Sequence, residues 1–236
     1  MSTDVPEPGD RLRQAARVAW PNLPVLLIGS LLVAAGWSVI RVLSPQLGWA
    51  TVVGIVLLVV PPFAALLRGC EVLLTDEHFG VLSLLQVLRR VALPAARATL
   101  PPLVSVLITV AALELWRWSG QTWMLASAAF GAAVSALILG TTVIALPYLV
   151  RTGTGLREGW LVATYIATRN PVPVLGVLSA VGLGVWGAAH LSFALVALLP
   201  APLALVWAAA AATATDRSQA RLASTAGRHA EARVHL

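Results

Sequence analysis

Charge is scarce in this 236-residue chain: 11% of its residues are Asp, Glu, Lys or Arg, against about 25% in a soluble domain. Cysteine is nearly absent. The single Cys70 excludes an internal disulfide. The four histidines, His78, His190, His229 and His235, stand at no metal-ligand spacing, so no metal site is expected. Lysine is missing altogether, and all 16 basic residues are arginine. No nucleophile–base–acid set, H-E-x-x-H or P-loop is apparent, so the sequence supports neither an enzyme nor a cofactor site. The composition excludes a soluble enzyme, a disordered chain and a disulfide scaffold.

What is present is apolar. Hydrophobic residues make up 58% of the chain, and its mean hydropathy is +0.85. About 20 apolar residues span the hydrocarbon core of a bilayer as a helix. Runs of that kind fall at 23–43, 47–67, 100–116 and 123–150. From Val172 to Thr213 the chain stays apolar for more than 40 residues. That is too long for one helix, and a split near Ala189-His190 gives spans at 172–189 and 192–213. The expectation is an all-α, polytopic membrane bundle of six transmembrane helices. Residues 1–19 form an N-terminal segment, 20–213 the membrane domain and 214–236 a flexible Ala- and Arg-rich tail. The N-terminal charges, from Asp4 to Arg17, do not fit a cleavable signal peptide.

Arginine orients this arrangement. Cytoplasmic loops are enriched in basic residues. With the N-terminus inside, the N-tail holds Arg11, Arg13 and Arg17. The loop after span two holds Arg68, Arg89, Arg90 and Arg97. The loop after span four holds Arg151, Arg157 and Arg169. The C-tail holds Arg217, Arg221, Arg228 and Arg233. Fourteen of the 16 arginines then lie inside, and only Arg41 and Arg117 outside. Both termini are therefore expected in the cytoplasm of a cell with an inner membrane. A sequence pI near 11.2 is explained by this topology and by anionic headgroups, with no nucleic acid required. Indoles favour the interfacial level. Trp37, Trp49, Trp116, Trp118, Trp123 and Trp186 fall near the outer one, and Trp20 and Trp160 near the inner one. Trp207 lies within the last span and is left unexplained.

Two cytoplasmic stretches read as amphipathic helices. In 79–92, Val81, Leu84, Leu85, Leu88 and Val91 share a face, and Pro94 is expected to end the helix. In 156–169 the pattern is weaker, with Thr154 as a candidate cap and Asn170-Pro171 as the stop. Each fits an interfacial helix lying in the headgroups or a docking helix for a cytoplasmic partner. The halves echo each other: Pro62-Phe63 followed by Arg68, and Pro147-Tyr148 followed by Arg151. A parallel repeat would place a site between the two units; chance or shared loop chemistry gives the same echo.

Within the spans, small residues recur at four-residue spacing. Ser30, Ala34 and Ser38 mark span one. Ser127, Gly131 and Ser135 mark span four. Gly176, Ala180, Gly184 and Ala188 mark span five. Such ladders let helices approach closely. No acid lies at mid-membrane, which argues against a proton-coupled carrier or pump. Glu114 and Arg117, three residues apart near an outer helix end, are expected to pair.

The arrangement resembles the YesL-like family of small bacterial membrane proteins, whose function is unknown. The resemblance covers residues 15–213. It rests on Asn22-Leu23 opening the first span, Pro62 closing the second, the helix around Phe79 to Arg90, and the Leu156 to Asn170 segment. It implies an accessory or permease-like role beside carbohydrate uptake, with no catalytic residues. A local stretch is similar to the ATPase-docking loop of ATP-binding-cassette importer permeases. That similarity rests on Glu71, Asp76, Gln86 and Leu93-Pro94. It implies docking of a cytoplasmic ATPase through Glu71, Asp76, Gln86, Arg89, Arg90 and Pro94. Val72-Leu73 stands where that loop has two alanines, and Glu77 where it has glycine. The expected function is thus a permease-like or accessory component of solute transport. The alternative is a non-transporting scaffold or regulator that binds a soluble partner. Oligomeric state is open.

Overall fold

The computed structural model describes residues 13, 17–44, 49–75, 79–190 and 197–234. Among these the regular structure is entirely helical. In chain order the helices are α1 (Leu23–Leu43), α2 (Trp49–Gly54), a π-helical segment (Ile55–Val59), α3 (Val60–Leu74), α4 (Val81–Ser119), α5 (Thr122–Thr152), α6 (Leu156–Arg169), α7 (Pro171–His190) and α8 (Pro200–Val234).

Four stretches are long and apolar enough to cross a membrane: Leu23–Leu43, Ile55–Leu74, Val81–Ser119 and Thr122–Thr152. A fifth is the pair Leu156–Arg169 and Pro171–Gly184, if its 98° bend is counted as one broken span. The sixth expected span begins in 191–196, outside the described residues. What lies within them is α8, which carries helical backbone from Pro200 to Val234. It thus runs through most of the stretch read as a tail.

Two expected boundaries change. Pro94 does not end a short helix. α4 runs unbroken from Val81 through Pro94, Pro101 and Pro102 to Ser119. The segment read as a separate amphipathic helix is its first three turns. Proline removes one backbone donor and crowds the preceding turn. Neighbouring helices offset that cost where they pack on the kinked segment. Here Ala95 and Ala98, which lie between Pro94 and Pro101, are fully buried, so α4 lies close against its neighbours across the proline segment. The buried stripe is Leu84, Val91, Ala95, Ala98, Thr99 and Pro102. Val81 and Leu85, expected on that face, are exposed. Likewise Thr154 does not cap α6. Gly155 is the N-cap and makes no side-chain bond, while the Thr154 hydroxyl pairs with that of Thr152 at 3.0 Å.

α4 and α5 form the largest hairpin. Gly120 closes α4 at φ 66°, its N–H donating to the Trp116 carbonyl at 2.8 Å. That left-handed conformation is one L side chains rarely adopt. Within the hairpin, the Ser135 hydroxyl meets Ser105 at 2.8 Å and Thr109 at 3.1 Å. A Cβ on Gly131 would stand 2.9 Å from Thr109 Oγ1. Gly131 and Ser135 of the small-residue ladder therefore form the α4 contact. Ser127, the third member, is exposed and bonds back to the Met124 carbonyl at 2.8 Å.

The core gathers α3, α5 and α8 around Ala64–Leu67, Cys70, Val143–Leu146, Ala204 and Ala208. Proline creates two backbone defects in the bundle, and a neighbouring helix supplies a donor for the first. Pro147 offers no N–H to Val143, four residues before it, so that carbonyl loses the regular donor of its own helix. Trp207 of α8 supplies one: its Nε1–H donates to the Val143 carbonyl at 2.6 Å. The indole also packs against Phe63, with ring centroids 5.4 Å apart. The second defect follows from Pro61-Pro62. The chain shifts into π register just before them, the Val60 N–H donating to the Ile55 carbonyl. The Leu58 carbonyl, which Pro62 cannot serve, lies directly against Gly36 of α1, where a Cβ would collide with the oxygen.

At the elbow between α6 and α7, Asn170 is buried. Its amide donates to Ile166 O at 3.2 Å and to Ser218 Oγ at 3.0 Å. The bend is thereby fastened to α8.

Candidate functional site

The C-terminal ends of α3 and α5 meet the middle of α8 around a cavity of about 400 Å³. α3 contributes Arg68, Glu71, Val72, Leu74 and Thr75. α5 contributes Ile144, Pro147, Tyr148 and Arg151. α8 contributes Ala208, Ala211, Ala212, Thr215 and Asp216. Along α5 the lining extends from Ile144 to Arg151, a rise of about 10 Å at 1.5 Å per residue. It stays in one half of that helix. Next to Ile144 and Ala208, Val143 and Trp207 join α5 to α8, and the indole packs on Phe63 of α3.

The local chemistry is polar at the rim and apolar at the base. Arg68 donates to Glu71 at 2.8 Å, three residues along the same helix face. The side chains are 31% and 16% exposed, so the pair is partly withdrawn from solvent. Gly153 ends α5 at φ 63°, with its N–H on the Leu149 carbonyl. The helix therefore ends one residue after Arg151. Thr215, also in the lining, donates its hydroxyl to its own helix at the Ala211 carbonyl.

The docking residues named from the sequence do not form one surface. Glu71 lines the cavity, tied to Arg68. Asp76 lies outside the described residues. Gln86, Arg89 and Arg90 are exposed on the first turns of α4, and Pro94 is half-buried inside that helix. Glu114 and Arg117 sit at the far end of α4. They pair at 3.3 Å with both side chains more than half exposed, as their spacing implies.

The cavity itself is missing from the sequence reading, although one signal pointed to it. The repeated Pro-aromatic-Arg pattern carries Arg68 and Arg151, and these two line the same space. Tyr148, Thr215 and Asp216 gave no separate signal. A G-x-G-x-x-G string does occur, at Gly182, Gly184 and Gly187. It lies mid-helix in α7 with no strand before it, which is not the context of a phosphate-binding turn. No group of His, Cys, Asp and Glu able to hold a metal is found among the described residues. No protein-family model, curated protein or solved structure matches the chain.

Proposed function

We propose that this chain is a multi-pass protein of a bacterial inner membrane and a permease-like or accessory component of solute transport. The observation that carries this reading is the cavity between α3, α5 and α8. It opens among four charged side chains and is lined by helices from both halves of the sequence, the position a repeat-built transporter uses for its solute. Its volume falls in the range of small-molecule sites, about 300–1,000 Å³. In this reading six spans cross the bilayer, the sixth covering 192–213. The arginine-rich end, with both termini, faces the cytoplasm. The resemblance to YesL-like proteins supports the same placement and points to carbohydrate uptake.

A second reading is favoured by a different observation. The first turns of α4 expose Leu82, Leu85 and Leu93 beside Arg89 and Arg90, a surface suited to a soluble partner such as an ATPase. In that case the protein is a membrane scaffold and transports nothing itself.

Crosslinking in the native host, followed by purification in mild detergent, separates the two. Recovery of an ATPase or an extracellular solute-binding protein supports the transport component. A soluble regulator without either moves the assignment to the scaffold. If nothing is recovered, solute flux into vesicles reconstituted with the purified chain decides, and its absence refutes the transport reading.

A further inference from the structure

We infer that the cavity binds an oxyanion, a carboxylate or a phosphate ester, through Arg151 and Tyr148. The inference rests on the solute-binding reading above and names the class of ligand. Four charged groups line the space: Arg68, Glu71, Arg151 and Asp216. Arg68 and Glu71 neutralise each other at 2.8 Å. Asp216 is engaged in an interaction of its own. Arg151 lies within electrostatic reach of Glu71 but forms no ion pair among the described residues, and the Tyr148 hydroxyl makes no hydrogen bond there.

These two groups stand three residues apart on α5, so they share a face and reach the same volume. A guanidinium offers two parallel N–H donors to an oxyanion, and the phenol adds a third from the side. Below them the wall is Pro147, Ile144 and the alanines of α8. It has no hydroxyl, amide or charge to read, and accepts a carbon skeleton. The recognised species is thus an anionic head on a compact body.

Two sources present that head. One is a water-soluble organic acid or phosphate ester. The other is the headgroup of an anionic phospholipid, because basic pockets between membrane helices hold such groups at the cytoplasmic surface.

The test uses the full chain in nanodiscs of phosphatidylcholine. Thermal stability is titrated with glucuronate, glucose 6-phosphate and neutral glucose. In parallel, nanodiscs containing phosphatidylglycerol are released into mild detergent for native mass spectrometry.

Saturable stabilisation by glucuronate or glucose 6-phosphate, and not by glucose, is the expected result for a soluble ligand. Arg151→Gln should then weaken it by about tenfold or more, the loss typical of a charge-assisted hydrogen bond. Arg151→Lys should restore part of the affinity, and Tyr148→Phe should weaken it by a smaller factor. Retention of one phosphatidylglycerol by the wild type, lost in Arg151→Gln, supports the same inference with the lipid as ligand. If Arg151→Gln does not fold, Arg151→Lys and Tyr148→Phe carry the comparison.

Equal stabilisation by glucose and its acids, insensitive to Arg151, overturns the oxyanion assignment and leaves the solute-binding reading intact. No saturation by any probe and no retained phospholipid overturn it too. The transport reading is then judged separately, by the crosslinked partners and by flux.

Discussion

The bond between Trp207 and the carbonyl that Pro147 leaves open can be weighed by a double-mutant cycle. Trp207→Phe removes the Nε1–H and part of the ring. Its cost has two parts, the lost packing and a Val143 carbonyl left without a donor in an apolar core. A buried group in that condition costs about 1–3 kcal/mol. Hydrogen bonds between membrane helices average about 0.6 and reach about 1.7 kcal/mol. At 2.6 Å, and with the regular donor of its own helix removed by Pro147, this one belongs near the top of that range. In a Pro147→Ala background the backbone N–H gained at that position reaches the Val143 carbonyl along the helix. Trp207→Phe should then cost only the packing, because the carbonyl is already satisfied. The difference between the two backgrounds isolates the bond and should be about 1–2 kcal/mol. It can be read from the midpoint of unfolding as SDS replaces dodecyl maltoside, with each variant followed by far-UV circular dichroism. Loss of tertiary fluorescence is not used, since Trp207 is itself a reporter. A coupling below about 0.5 kcal/mol, within the range of independent sites, would refute the claim that the indole repairs the proline defect.

Other outcomes follow from the same contacts. Gly36→Ala forces a methyl group into the Leu58 carbonyl. It should destabilise the chain by about 1–3 kcal/mol, the range for overpacking, in the same unfolding assay. Ser135→Ala leaves Ser105 and Thr109 without their shared partner. A loss of about 0.5–2 kcal/mol is expected, and no loss would show that the α4–α5 hairpin is held by packing alone. Cys70 is fully buried, so a membrane-impermeant maleimide should leave it unlabelled from either side until SDS is added. With Cys70 silent, an exposed cysteine reports topology: Ser119→Cys should label in intact cells and Arg157→Cys should not, and the reverse pattern would invert the orientation. Arg90→Glu should abolish solute uptake at unchanged membrane abundance if an ATPase docks on the first turns of α4. Unchanged uptake would remove that surface from consideration.

Sequence periodicity revealed the helices whose ends coincide with a change from apolar to polar residues, as in α1 and α5. It failed where proline was taken as a stop. Pro94 is a strong helix breaker in water, but its cost falls when helices pack against the kinked segment, and that packing belongs to α3 and α5 rather than to α4. The cavity was illegible for a similar reason. Arg68, Arg151 and Asp216 are separated by long stretches of chain, and only the meeting of α3, α5 and α8 brings them together. Arg68 and Arg151 did leave a trace, in the repeated Pro-aromatic-Arg pattern. Trp207 left none in hydropathy. Its explanation lies in a proline on another helix, four residues after the carbonyl that the indole serves.

That pairing also orders the biosynthesis of the protein in time. Val143 and Trp207 are 64 residues apart, and translation proceeds at about 5–20 residues per second. For about 3–13 s, then, α5 exists without the donor that its proline demands. During that interval the nascent span must keep Val143 near water, the insertion machinery or another chain's donor. A helix made later thus completes the hydrogen bonding of one made earlier. A truncated product lacking α8 would retain an open polar group inside an otherwise apolar helix.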